Sequence, residues 1–120
     1  MEAKSGYGLD EATEMKSLSV IGMLAKEGYD VIPTYLGAHV TPSEYGKPAE
    51  YIDWVASHML PRIAQERLAV FADAFCEHGA FSIDETRKYL EAARQNGLGL
   101  KLHAEQFSRS GAARLGVELG

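Results

Sequence analysis

The chain has 120 residues, of which 46% are hydrophobic and 24% are charged. These fractions are typical of a single globular domain and exclude a disordered tail. Twelve basic residues against seventeen acidic ones give a net charge of −5, and the sequence contains no Lys/Arg cluster. We therefore expect neither a nucleic acid nor an anionic membrane as a partner.

The expected location is the cytoplasm. No apolar run approaches the roughly 18 residues that a membrane span needs. The residues after Met1 contain no apolar segment of the kind found in signal peptides. Cys76 is the single cysteine, which excludes a disulfide scaffold and suits a reducing compartment.

The first part of the chain is predicted to form a helix followed by a strand. Residues 11–27 place apolar side chains at three- and four-residue steps, which predicts a helix that begins after Asp10 and ends at Gly28. A short β-rich segment, residues 29–35, follows. Its Pro33 argues against a central strand, because proline cannot donate a hydrogen bond to a neighbouring strand.

The middle of the chain returns to helical spacing over residues 48–66. Pro48 suits the first turn of this helix, whereas Pro61 is expected to kink or split it. Residues 68–75, a short and largely apolar run, form the next strand candidate.

The last third begins with a helix signal. Ser82 and Glu85 have the spacing of a capping box, and the helix that they start should run to about Gln95 and end at Asn96–Gly97. Residues 98–102 are a further strand candidate. Beyond them, a last helix is expected.

The order of these elements indicates an α/β fold. The last helix begins near Ser110, and a further strand end is expected before Ser5. Strands that alternate with helices indicate βαβ units and a parallel sheet. Composition and spacing alone do not separate a barrel from a doubly wound sheet.

Chemistry-bearing residues concentrate where the predicted strands end. In α/β folds, binding groups collect just beyond the C-terminal ends of the strands. Three of the four histidines, His39, His78 and His103, fall at such positions. A histidine there is more often a hydrogen-bonded structural residue than a ligand, but the repetition favours a metal or acid–base site. His58 lies inside a helix pattern and is expected to be a surface or packing residue.

The same edge should carry several other polar residues. Lys4 and Tyr7 are expected in a loop after the first strand end. Cys76 is expected to be a buried side chain that behaves as a small apolar group. Glu77 and Glu105 are expected to be solvated loop charges.

Four blocks in a fixed order carry a more specific signal. They are Lys4-Ser5-Gly6-Tyr7-Gly8-Leu9, Thr34-Tyr35-Leu36-Gly37-Ala38-His39, Phe75-Cys76-Glu77-His78-Gly79-Ala80-Phe81-Ser82 and Lys101-Leu102-His103-Ala104-Glu105-Gln106. Each block resembles a loop of the imidazolonepropionases, the amidohydrolases of histidine breakdown. Together the blocks span nearly the whole chain.

The resemblance implies a fold and a reaction. Residues 1–120 would be one partial domain of a (β/α)8 barrel, comprising strands two to five with their helices. The reaction would open a cyclic amide, with 4-imidazolone-5-propanoate as the small-molecule substrate and N-formimino-L-glutamate as the product. The family's chemistry depends on one metal ion, Zn or Fe, which lowers the pKa of bound water and polarises the attacked carbon.

The resemblance also implies roles for four residues. His103 would be a metal ligand on strand five. Tyr7, His39 and Gln106 would hold the substrate, with Gln106 in contact with the imidazolone ring. His39 and Gln106 would be the catalytic residues, and His39 could stabilise an oxyanion as charge develops on the ring oxygen.

The resemblance covers only part of a barrel, because a complete one takes roughly 250 residues. The paired H-x-H ligands of strand one, a strand-eight aspartate and a substrate-holding arginine lie outside this chain. A catalytic metal normally has three protein ligands, and His103 is the one present. We therefore expect the isolated chain to be inactive. An open arc of strands should form a homo-oligomer that closes a pseudo-barrel, an aggregate or a poorly folded monomer.

Two other interpretations remain open. Cys76 could be a nucleophile served by His39 or His78. Alternatively, the chain could be a non-catalytic half-barrel that serves as an assembly module.

Overall fold

The structure, a computed structural model that describes residues 1–120, contains one sheet of four parallel strands. The strands are β1 (Glu2–Lys4), β2 (Ile32–Ala38), β3 (Phe71–Cys76) and β4 (Gly99–Ala104). Their order in the sheet is β1-β2-β3-β4, so each strand pairs with the next one in sequence. A doubly wound sheet reverses its strand order at a switch point. No reversal occurs here, and the α/β architecture is compatible with part of a barrel.

Helices connect the strands and cover one face of the sheet. They are α1 (Glu11–Lys26), α2 (Pro48–Trp54), α3 (Leu60–Gln65), α4 (Ile83–Gln95) and α5 (Ala112–Leu119). A single cluster of buried side chains joins this layer to the sheet, and it includes Leu18, Ile52 and Leu90 of the helices and the small Ala72 and Ala74 of β3. None of the helices is both long and apolar enough to cross a membrane.

The opposite face of the sheet, here called the open face, bears charged side chains. Alternation along β3 points Ala72 and Ala74 toward the helices and therefore Asp73 away from them. Lys4 of β1 and His103 of β4 contact Asp73 on that face. Lys4 thus belongs to a strand, and the prediction that it lies in a loop was wrong.

The helix boundaries predicted from capping residues are confirmed. The Asp10 side chain accepts a hydrogen bond from the backbone of Thr13 at 2.9 Å and so starts α1. Gly28 follows the end of α1 with φ +94°, a left-handed conformation that glycine adopts freely. Ser82 and Glu85 form the predicted capping box at the start of α4.

Pro61 splits its helix, as expected. The segment after Pro48 is α-helical to Trp54, becomes π-helical over Val55–Met59, and resumes as α3. The Leu60 amide bonds to the Val55 carbonyl five residues earlier. Proline has no N–H to donate, so the α-helical hydrogen-bond pattern is interrupted at Pro61. The π-helical turn just before it, which contains one extra residue, accommodates this interruption.

Pro33 does not keep its strand at the edge of the sheet, so that expectation was wrong. β2 is flanked by β1 and β3. The Pro33 carbonyl accepts a hydrogen bond from the Val70 amide at 2.9 Å, so its missing N–H would face the same neighbour. That neighbour strand begins only at Phe71. The hydrogen bond that Pro33 cannot donate would therefore reach residues before β3 begins, so the pairing of β2 with β3 loses no hydrogen bond.

Two strands extend by two or more residues further toward the C-terminus than their sequence patterns predicted. β2 ends at Ala38, three residues beyond the predicted end of the 29–35 segment. β4 ends at Ala104, so His103 lies inside the strand rather than after it. Side-chain direction in a strand alternates, and the position of His103 in β4 sets the face on which it lies.

An irregularity in β2 breaks the regular register. Tyr35 pairs with Ala72 but Ala38 pairs with Ala74, so β2 has one residue more than β3 over this stretch. The backbone carbonyls of Tyr35 and Gly37, within this stretch, accept hydrogen bonds from the hydroxyls of Tyr89 and Tyr51. Gly37 is required here, because a Cβ atom at this position would lie 2.3 Å from the Tyr35 ring.

The free edges of β1 and β4 lead to a prediction about association. Their unpaired backbone groups are templates for pairing with another chain, and no helix covers the open face between them. We expect the isolated chain to sediment as a dimer or a larger species in analytical ultracentrifugation. A compact monomer that melts cooperatively would contradict this expectation.

Candidate functional site

The C-terminal ends of the strands open into a cleft of about 520 Å³. Its lining residues are Lys4, Tyr7, Leu36, His39, Phe75, His103, Gln106 and Phe107. All four residues singled out from the sequence blocks, Tyr7, His39, His103 and Gln106, are among them. They come from three different strand–loop junctions, so only the folded sheet brings them together.

His39 lies at the side of the cleft with one ring nitrogen engaged. Its Nδ1 is 3.1 Å from the carbonyl oxygen of Gly6. A carbonyl oxygen only accepts hydrogen bonds, so Nδ1 carries the proton of this pair. The ring of Tyr7 meets the His39 ring edge-on at a centroid distance of 4.6 Å. Tyr7 is 81% exposed and therefore stands at the mouth of the cleft.

His103 has a carboxylate partner that the sequence analysis did not identify. Its Nδ1 is 3.0 Å from Asp73 Oδ1, and Lys4 Nζ is 2.5 Å from Asp73 Oδ2. The Asp73 side chain is only 1% exposed. A charged residue inside the apolar run of β3 was the available sequence signal, since buried aspartates are rare unless paired.

A second ionic group joins the two edge strands across the open face. Glu2 Oε1 of β1 accepts hydrogen bonds at 2.6 Å from both Lys101 Nζ of β4 and the Thr34 hydroxyl of β2. These bonds lower the pKa of Glu2 to about 2. Strands lie roughly 4.8 Å apart in a sheet, so β1 and β4 are separated by three such spacings. Their side chains nevertheless make direct contact, which favours a sheet that curves toward the open face.

The loop that carries Tyr7 is held by a buried carboxylate of α1. Glu14 Oε1 accepts hydrogen bonds from the backbone amides of Gly6 at 2.9 Å and Gly8 at 2.7 Å. These amides flank Tyr7 on both sides. Glu14 thus fixes the backbone from which the Tyr7 side chain projects.

Glu77 holds the loop that carries Gln106. The Glu77 carboxylate accepts a hydrogen bond from the Ser108 hydroxyl, and from the backbone amides of Phe107 at 2.9 Å and Ser108 at 3.2 Å. The Ser108 hydroxyl and these amides lower the pKa of Glu77 to about 2. Glu77 is buried, and the expectation of a solvated loop charge was wrong for it. Glu105 is exposed, as expected.

Comparison with known proteins identifies the relatives of this chain. It is 48% identical over 122 residues to the imidazolonepropionase of Clostridium tetani, and 47% identical over 122 residues to that of Desulfotalea psychrophila. Both alignments cover the whole of this chain. The chain belongs to the imidazolonepropionase family. It spans about 30% of the length of these curated relatives. No protein-family model matches the chain.

The other two histidines of the chain, His58 and His78, lie outside the cleft. His78 follows β3 at the same edge of the sheet, but it is exposed and lines neighbouring surface pockets. His58 is exposed on the π-helical stretch and stacks on Trp54, as expected of a surface residue.

Cys76 is buried at the end of β3, as expected of a small apolar-like side chain. Burial raises the pKa of its thiol. A nucleophilic cysteine needs a lowered pKa, which a neighbouring cation or a helix N-terminus supplies. The surroundings of Cys76 therefore favour packing over nucleophilic attack.

Glu77 generates a prediction about pH. Its folded-state pKa lies below the ordinary value of 4.5, so its bonds stabilise the fold above about pH 4.5 and are lost as the pH falls toward 2. We expect Glu77→Gln to lower the melting temperature at about pH 7 and to have a smaller effect at about pH 3, at matched protein concentration.

The control for this prediction is Glu44→Gln. Glu44 is also a glutamate in a loop, but it is exposed. Its substitution should leave the melting temperature unchanged at both pH values. An equal destabilisation by Glu77→Gln at both pH values would show that the carboxylate charge does not hold the Ser108 loop.

Proposed function

We propose that this chain is the part of a longer, metal-dependent imidazolonepropionase that contributes strands two to five of a (β/α)8 barrel. The proposed reaction is the hydrolysis of 4-imidazolone-5-propanoate to N-formimino-L-glutamate. The observation that carries the proposal is the cleft, in which Tyr7, His39, His103 and Gln106 meet at the C-terminal edge of a parallel sheet. That edge is where barrels of this type hold their active sites.

The barrel assignment is supported by strand order and by curvature. Consecutive strands are neighbours throughout, as in a barrel wall. The contact between Glu2 and Lys101 across the open face supports a sheet that curves toward that face. In the proposed full-length protein, further strands would pair with the edges at β1 and β4.

The proposed metal would be held in part by His103. An imidazole that binds a metal through one nitrogen commonly donates its other N–H to a carboxylate, and Asp73 is such a partner for Nδ1. No group of three or more His, Cys, Asp or Glu side chains in this chain is arranged to hold a metal. The remaining ligands would come from the rest of the protein. A bound Zn or Fe ion would supply an activated water and polarise the ring carbonyl.

Gln106 and Tyr7 would bind the imidazolone ring. In the proposed reaction, water adds to the ring carbonyl carbon, the ring C–N amide bond breaks, and that carbon becomes a carboxylate. A carboxamide offers both donors and an acceptor, so Gln106 suits a ring that presents N–H and C=O groups. Tyr7 offers an aromatic face and one hydroxyl at the mouth of the cleft.

His39 would contact the substrate through Nε2, because its Nδ1 donates to Gly6. In the neutral ring Nε2 is an acceptor, and in the protonated ring it is a donor. His39 can therefore stabilise a developing oxyanion only as the imidazolium, and as a neutral ring it would accept a proton from the substrate or from water. Both roles use the same ring orientation.

The first test places this chain in a complete protein. In a chimaera, the chain replaces the matching segment of the Clostridium tetani relative, and product formation from 4-imidazolone-5-propanoate is followed by mass spectrometry. We expect the chimaera to release N-formimino-L-glutamate and to bind metal. His103→Ala should lower both the metal content, measured by elemental analysis, and the turnover.

The matched control for His103 is His78→Ala. His78 lies at the same edge of the sheet but outside the cleft, so its removal should change neither metal content nor turnover. A folded chimaera without activity would contradict the proposed reaction. Normal metal stoichiometry in the His103 variant would contradict its role as a ligand.

A second prediction separates substrate contact from metal binding. We expect Gln106→Ala in the chimaera to leave the metal content unchanged and to lower kcat/KM by roughly 5- to 150-fold, which corresponds to about 1–3 kcal/mol for one or two lost hydrogen bonds. Gln95→Ala, at an exposed glutamine at the end of α4, is the control. Loss of metal from the Gln106 variant would place this residue among the ligands instead.

A further inference from the structure

Asp73 is the most deeply buried charged side chain on the open face. Its carboxylate is 1% exposed and has two partners from different strands, His103 Nδ1 at 3.0 Å and Lys4 Nζ at 2.5 Å. Its partners are less buried, with 39% of the His103 side chain and 28% of the Lys4 side chain exposed. Asp73 therefore lies beneath the cleft, and His103 stands between it and the open space.

The hydrogen bond between Asp73 and His103 defines which nitrogen of the His103 ring carries the proton. An ionised carboxylate only accepts hydrogen bonds, so His103 Nδ1 must carry the hydrogen that is donated to Asp73. In the neutral ring, Nε2 then holds a lone pair. Without a partner at Nδ1, either nitrogen could carry the proton and the ring could rotate about its side-chain bonds.

Lys4 fixes the acceptor itself. Its ammonium group binds Asp73 Oδ2, the oxygen that His103 does not use. Lys4 is in turn 3.6 Å from Glu2, which also binds Lys101. Lys4 of edge strand β1 thus fixes the Asp73 carboxylate, and that carboxylate in turn binds His103 of the other edge strand, β4.

We infer that Asp73 is the positioning residue for His103: it holds the ring as the Nδ1–H tautomer, so that Nε2 is directed to a metal ion. This inference rests on the proposed function, because it requires His103 to be a ligand. Asp73 touches neither the substrate nor the metal and acts through His103. A purely structural ion pair would stabilise the sheet and have no effect on the metal.

The experiment measures metal affinity in the chimaera by competition with a chelator of known affinity. We expect Asp73→Ala and Asp73→Asn to weaken zinc binding by roughly 10- to 100-fold, the usual effect of removing the carboxylate partner of a ligating histidine. Asp53→Asn is the matched control, since Asp53 also binds a lysine, Lys88, but lies exposed on α2 away from any histidine partner. Its zinc affinity should equal that of the unmodified chimaera.

A double-mutant cycle distinguishes positioning from general stability. If Asp73 acts through His103, then Asp73→Asn should cause no further loss of zinc affinity once His103→Ala is present. A structural role would produce additive losses that follow the melting temperature. Nitrogen-15 spectra of the metal-free protein give a second readout: the His103 ring should be protonated at Nδ1, and the Asp73 variants should lose this preference.

The outcomes separate the two proposals. If His103→Ala lowers zinc affinity but the Asp73 variants do not, the positioning role is overturned and the metal role of His103 stands. Protonation of His103 at Nε2 in the unmodified protein would also overturn the positioning role. If His103→Ala leaves zinc affinity unchanged, the proposed metal site itself is wrong.

Discussion

The buried carboxylate of Asp73 is the constraint on which the cleft depends. Removing a charge from water costs several kcal/mol, which is recovered only when well-placed partners surround it. Asp73 has two, Lys4 from β1 and His103 from β4. One side chain of β3 thereby links both edges of the sheet on its open face. The same two partners line the cleft, so the stability of the sheet and the geometry of the site share their contacts.

Two further carboxylates hold the loops at the rim of the cleft. Glu14 binds the amides on both sides of Tyr7, and Glu77 binds the amides just after Gln106. Charge-assisted hydrogen bonds to backbone N–H groups are stronger than neutral ones. Loops held in this way present their side chains in a defined direction, which a site needs if it is to bind a small ring without reorganising.

The irregularity in β2 decides the direction of His39. Regular alternation from Tyr35, which faces the helices, would also turn residue 39 toward them. The extra residue between Tyr35 and Ala38 reverses the alternation, so Ala38 joins the core and His39 turns to the cleft. A one-residue shift in register moves every later side chain to the other face. The Tyr51 and Tyr89 hydroxyls stabilise this local change, since they bind backbone carbonyls within the irregular stretch.

The sequence by itself determined the order of the elements and most helix boundaries, because capping and periodicity are local properties. Asp10, Gly28 and the Ser82–Glu85 pair act within a few residues of themselves, and the structure agrees with all three predictions. The four sequence blocks likewise identified the family, and they contain seven of the eight residues that line the cleft, all but Phe107. These blocks are informative because each is a short stretch whose residues are contiguous along the chain.

Only the tertiary structure decided which side chains meet and which face they share. Asp73 and Glu77 each have partners about thirty residues away in sequence. No local sequence pattern therefore distinguishes a buried carboxylate that binds distant groups from a solvated one. Pro33 could be read as unfit for a central strand because the sequence does not reveal where β3 begins. The direction of His39 depends on one extra residue in the pairing of β2 with β3. Register, burial and ion pairing arise when distant segments pack together, and that packing determines the geometry of the cleft.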